Sequence, residues 1–147
     1  VRRVLGLALF FAALAAGCGG GGGDGLSQEE FRQQADAICE KYDKKIQALG
    51  SPQSPADIPA YVQKGIPLLR QGIAELRALN PPADVEDDYN RMLNETAKAI
   101  PAAEKLADAA EKGDTAAVQD AIREGQQADE ASDELATKLK LDRCAAD

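Results

Sequence analysis

A chain of 147 residues with 17 basic and 25 acidic side chains carries a formal net charge of −8 and contains no histidine. That length holds one domain, and the acidity sets its surface against phosphates and anionic lipid headgroups, which excludes DNA or RNA binding. The missing histidine removes the commonest general base, the usual zinc ligand and the axial ligand of most haem proteins.

The chain opens with a positive stretch, Val1-Arg2-Arg3, followed by an apolar run from Val4 to Leu14 and then by the small residues Ala15, Ala16 and Gly17 before Cys18. This order of charge, apolar run and small-residue site is that of a secretory signal, and it is too short for a lasting membrane span. Leu14-Ala15-Ala16-Gly17-Cys18 resembles the lipobox of bacterial lipoproteins, with Ala15 at the position usually held by leucine. The resemblance implies that residues 1–17 are removed as a signal peptide. It also implies that Cys18 receives a fatty acyl anchor such as palmitate, which holds the mature chain at the outer face of the cell membrane. It speaks to address alone, not to activity.

With Cys18 acylated, two of the three cysteines remain, Cys39 and Cys144, and they can pair in only one way. Outside the cytoplasm such a pair is expected to be a disulfide. A closed loop of about 100 residues stabilises by roughly 4–5 kcal/mol on the chain-entropy model. Residues 18–26 read as the lipidated cysteine and a glycine-rich tether, whose mean reach is about 15 Å. Residues 27–147 form the expected helical domain.

Ser27 and Glu30 have the spacing of a capping box, flanked by Leu26 and Phe31 as a hydrophobic staple. Phe31, Ala35, Ile38, Tyr42, Ile46 and Leu49 then recur at steps of three and four, one apolar stripe on a first helix that Gly50 ends. After a turn cluster at residues 51–57, Asp57 is the expected cap of a second helix, with Pro59 tolerated in its first turn. Val62, Ile66, Leu69, Ile73 and Leu76 form its stripe, and Asn80-Pro81-Pro82 stops it. A third helix starts near Asp84 and carries Val85, Tyr89, Met92, Thr96, Ile100, Ala103, Leu106 and Ala110. Pro67 and Pro101 fall inside the second and third helices and predict kinks there. Lys112-Gly113-Asp114 reads as stop, C-terminal glycine and new cap. The fourth helix follows through Val118, Ile122, Gly125, Ala128, Leu135 and Leu139, with Gly125 a place for close helix approach.

No strand pattern is present. The expected fold is all-α, an antiparallel up-down four-helix bundle closed by one disulfide. In that topology the fourth helix ends beside the start of the first, and Cys39 lies roughly 16 Å up the first helix. Lys140 to Arg143 must therefore fold back along it to bring Cys144 alongside.

The chemistry-bearing motifs are few. There is no Glu-x-x-His pair for a di-iron site, no Cys-x-x-Cys-His and no phosphate loop, so no catalytic residue, metal ligand or cofactor is expected. Asp129, Glu130, Asp133 and Glu134 form two i,i+4 like-charge pairs. They read as a solvated face, compensated by Lys138, before they read as a weak cation site. Asp84, Glu86, Asp87 and Asp88 suit the N-terminal dipole of the third helix. Tyr42, Tyr61 and Tyr89 are expected at core edges.

Ala35-Asp36-Ala37-Ile38-Cys39, the Pro81-Pro82 turn and Cys144 close to the C-terminus are similar to features of small, alanine-rich lipoproteins of actinobacterial type, a group with no assigned activity. That likeness implies the helical fold and the disulfide, and no site. The function expected is that of a non-enzymatic, membrane-anchored bundle with a binding or envelope-structural role, its partners an envelope protein and the membrane reached through Cys18. The alternative is a small-ligand carrier or sensor with a cavity near Pro67, Pro101 and the three tyrosines.

Overall fold

The computed structural model describes residues 25–145. The leader, the lipobox, Cys18 and the glycines that follow it lie outside the described residues. The Leu26 N–H donates to Asn80 O at 2.9 Å, and its side chain packs against the core.

Helix α1 spans Gln28–Gln47. The capping box is present in full: Glu30 N–H donates to Ser27 Oγ at 3.3 Å, and Ser27 N–H donates to Glu30 Oε2 at 3.1 Å. A cap of this kind contributes about 1 kcal/mol. At the other end the last turn tightens, with Leu49 N–H on Ile46 O and Gly50 N–H on Gln47 O. Gly50 then reverses the chain at φ 74°. The helix thus stops before Leu49, although that residue continues the stripe.

Helix α2 spans Ile58–Arg77 and is preceded by a short 3-10 turn at Pro55–Asp57. The expected cap acts in the opposite direction. Asp57 makes no cap bond to α2; its Oδ2 accepts from Ser54 N at 2.9 Å and Gln53 N at 3.2 Å, closing the turn before it. Helix α3 spans Glu86–Lys112 and α4 Thr115–Leu139. Both α2 and α3 continue through their internal prolines, Pro67 and Pro101. Between α3 and α4, Gly113 takes the left-handed conformation at φ 65°, and Asp114 caps α4 by accepting from Ala117 N at 3.0 Å.

Neighbouring helices run antiparallel, and their cross-links show it. From α3 to α4, Asp88 pairs with Lys138, Thr96 with Ser132 and Lys105 with Glu124, partners that climb one helix while descending the other. From α2 to α3, Arg77 meets Asn94 and Arg70 meets Glu104 in the same sense. Each helix packs on the next in chain order. No Cα of α1, however, comes within 8 Å of one in α4, so the bundle is open along that seam.

The core gathers at the end where α1 starts and α4 stops. Phe31, Ala35, Leu76, Tyr89, Met92, Leu93, Ala136, Leu139 and Leu141 are buried together. Phe31 meets Tyr89 edge-on at 4.8 Å between ring centres, and the Tyr89 hydroxyl donates to Leu76 O at 2.8 Å. Gly125 faces only the Ala102 methyl, at a distance of 3.9 Å from where its own Cβ would be, so close helix approach does not require a glycine there.

Candidate functional site

Where α1 and α4 stand apart, a cleft of about 660 Å³ opens between them, with α2 and α3 behind it. Its floor is apolar: Ile38 and Ile46 from α1, Leu69 and Ile73 from α2, and Met92 from α3. Ile38, Ile46 and Leu69 belong to the stripes of their helices yet stay only half-buried, because the bundle never closes over them.

One end of the cleft is roofed by the tail. Lys140, at φ 59°, is the one non-glycine in the left-handed region among the described residues. Its N–H bonds Thr137 O and that of Leu141 bonds Ala136 O, the two bonds of a Schellman stop. The turn drives Leu141 into the core, fully buried. Arg143 N–H then donates to Asp36 Oδ1 at 2.9 Å, and Cys144 forms a disulfide with Cys39 across a Cα–Cα distance of 5.1 Å. The expected pairing is therefore present. The tail folds back to α1 as expected, through a compact turn with Cys144 N–H on Leu141 O.

The α4 wall carries hydroxyls and carboxylates. Thr96 Oγ1 donates to Met92 O at 2.9 Å and lies 2.7 Å from Ser132 Oγ. Since the single Thr96 proton is committed to Met92, Ser132 is the donor between the two hydroxyls. This pair ties α3 to α4. Asp129 and Asp133 line the same wall one turn apart. Burial pushes the Asp129 carboxyl above its ordinary value, and the neighbouring Asp133 charge pushes it further. Asp129 has no hydrogen-bond or ion-pair partner among the described residues.

On the α1 side, Tyr42 donates its hydroxyl to Glu75 Oε1 at 2.6 Å, and Lys41 Nζ reaches both Glu75 oxygens at 2.8 Å. The Lys41 bond first, and then the Tyr42 bond, hold the Glu75 carboxyl below its ordinary value. The same contact with Glu75 raises the Tyr42 phenol. Lys45 sits over the Tyr42 ring, 4.4 Å from its centre. This cluster locks α1 on α2, and its Tyr42 lines the cleft.

Several residues singled out by sequence lie elsewhere. Of the three tyrosines only Tyr42 lines the cleft: Tyr89 is in the core, and Tyr61, Pro67 and Pro101 lie outside the cleft. The opening is thus not where the prolines pointed. Of the α4 acids, Asp129 and Asp133 line the cleft while Glu130 and Glu134 face solvent. Lys138 does not compensate Glu134; it pairs with Asp88 of α3 at 2.6 Å. Among the described residues no group of His, Cys, Asp and Glu is arranged to hold a metal, and no helix is long and apolar enough to cross a membrane.

What sequence reading missed is the rim. Asp129 follows the buried Ala128 and Asp133 the buried Ser132, so both stand at the border of the buried stripe of α4, Asp129 exposed and Asp133 half-buried. That position was the available signal. Comparison with protein-family models, with curated proteins and with solved structures returns no match to this chain.

Proposed function

We propose that this chain is a bacterial lipoprotein whose helical body is exported and held at the outer face of the cell membrane through acylated Cys18, where it acts as a non-enzymatic binding protein. The observation that carries the reading is the Cys39–Cys144 disulfide. Structural disulfides belong to oxidising compartments outside the cytoplasm. This one uses both cysteines of the folded body and leaves Cys18, behind its lipobox-like sequence, as the third. The tether of glycines then keeps the body close to the bilayer, with its acidic surface out of the headgroup layer.

Metabolic labelling with a fatty-acid analogue, followed by fractionation of the natural chain and of Cys18→Ser, tests the reading. The natural chain is expected to be labelled and to sediment with membranes, and Cys18→Ser to be unlabelled. Equal partitioning of both chains without label contradicts it.

A small-ligand carrier is the second reading, and the cleft favours it. Its volume of about 660 Å³ falls within the roughly 300–1,000 Å³ range of small-molecule sites. A carrier at the membrane face would deliver its ligand to an envelope protein, so the two readings share one body.

A further inference from the structure

The open α1–α4 seam combines two features. One is a floor of aliphatic side chains left half-exposed in an otherwise complete bundle. The other is the charge around it: Glu40, Asp43, Asp129, Asp133 and Asp142 against the single guanidinium of Arg143. These carboxylates are not equivalent. Glu40 is paired with Lys44 at 2.6 Å, and Asp43 accepts from Gln47 at 2.7 Å, each within its own helix. On the opposite wall Asp129 has only a like charge beside it and is partly withdrawn from water.

We infer that the α1–α4 cleft binds a small soluble organic cation with an apolar body, the body lying on Ile38, Ile46 and Leu69 and the cationic group against Asp129 and Asp133. This rests on the binding reading above and names its ligand class. An inorganic cation would leave the aliphatic floor bare and finds no cluster of ligands among the described residues. An anionic amphiphile would match the floor and be repelled by the rim. The cleft is also of small-molecule size, and a bound cation relieves the repulsion between Asp129 and Asp133.

The test uses the oxidised full chain carrying Cys18→Ser, so that no acyl chain competes, in detergent-free buffer. Octyltrimethylammonium, tetramethylammonium and octanoate are titrated separately and followed by calorimetry and by amide and methyl NMR shifts. Octyltrimethylammonium is expected to shift Ile46, Leu69 and Asp129, with tetramethylammonium and octanoate each weaker by at least about tenfold. Asp129→Asn/Asp133→Asn is expected to weaken octyltrimethylammonium by about tenfold or more, while Glu104→Gln, a charge removed outside the cleft, leaves it unchanged.

Binding that is equal in the double variant, shifts located away from the cleft, octanoate binding as tightly as the cation, or no binding by any probe would each overturn the inference. Melting of the variants by circular dichroism shows that they are folded. Failure of Cys18 labelling overturns the anchoring and leaves this titration intact. A labelled chain that ignores the cation overturns the ligand class alone.

Discussion

A β-carbon added to Gly72 would lie 3.0 Å from Cγ of Tyr42 and 3.2 Å from Cδ2 of the same ring. At Gly72 the Tyr42 ring of α1 therefore lies against the α2 backbone, and the buried ring, held by Glu75, cannot retreat without giving up that bond. Elsewhere a helical glycine is a simple weakness: nothing lies within 4 Å of a Cβ at Gly65, and Gly125 meets only ordinary contact. Gly65→Ala and Gly125→Ala are expected to stabilise by about 0.5–1 kcal/mol each. Gly72→Ala is expected to lose that gain and destabilise by about 1–3 kcal/mol through overpacking. Urea melts of the three variants check the contrast, and a stabilised Gly72→Ala would show that the α1–α2 contact is looser than described.

Lys140 holds a conformation that a β-carbon disfavours, and its side chain is exposed. Gly113 occupies the equivalent place after α3 with the same pair of backbone bonds. Lys140→Gly removes the left-handed penalty and adds freedom to the unfolded chain, so the net gain is expected to be about 0.5–1 kcal/mol. The measurement is a denaturation midpoint under oxidising conditions.

Asp129 predicts a pH dependence opposite to that of Glu75, Glu30 and Asp57. Its carboxyl is raised above the ordinary 3.8, so the folded state holds that proton more tightly than the unfolded state. Its ionisation then disfavours folding, a loss that develops as pH climbs from 3.8 through the raised value and persists at neutrality. Asp129→Asn is expected to melt higher than the natural chain near neutral pH and to match it below about pH 3. Glu75, Glu30 and Asp57 are all lowered, so their contribution is present above their ordinary values and falls away as acid protonates them. The chain as a whole should therefore lose stability in acid even as the Asp129 penalty disappears.

Much of this architecture was legible in the sequence because local chemistry decided it. The Ser27–Glu30 box, the left-handed Gly113 and the Asp114 cap are satisfied within a few residues, and each forms as its spacing implies. Partners set by tertiary placement were not legible. Asp57 turns back to Ser54, Lys138 prefers Asp88 on another helix, and Lys140 adopts a glycine-like conformation because Leu141 must enter the core. The cleft was hidden for a related reason. Ile46 and Leu69 carry the same stripe signal as core residues, and only the separation of α1 from α4 leaves them half-open.

The disulfide gives α1 a covalent tie to the tail that closes the seam at one end, beside the single Arg143–Asp36 hydrogen bond. Cys39→Ala/Cys144→Ala is expected to lose roughly 2–5 kcal/mol and to raise hydrogen exchange in residues 141–145 before the α3–α4 pair is affected. Natural-like stability of the double variant would mean that the helices close the bundle without it.

Anchoring through one cysteine and cross-linking of the other two can be read together. The chain is extracted from membranes without reductant, treated with an alkylating agent, and weighed intact by mass spectrometry. A mass starting at Cys18 with fatty acyl groups added and no alkylated thiol is the predicted result. A chain that retains residues 1–17, or one whose Cys18, Cys39 or Cys144 takes up the alkylating agent, contradicts it.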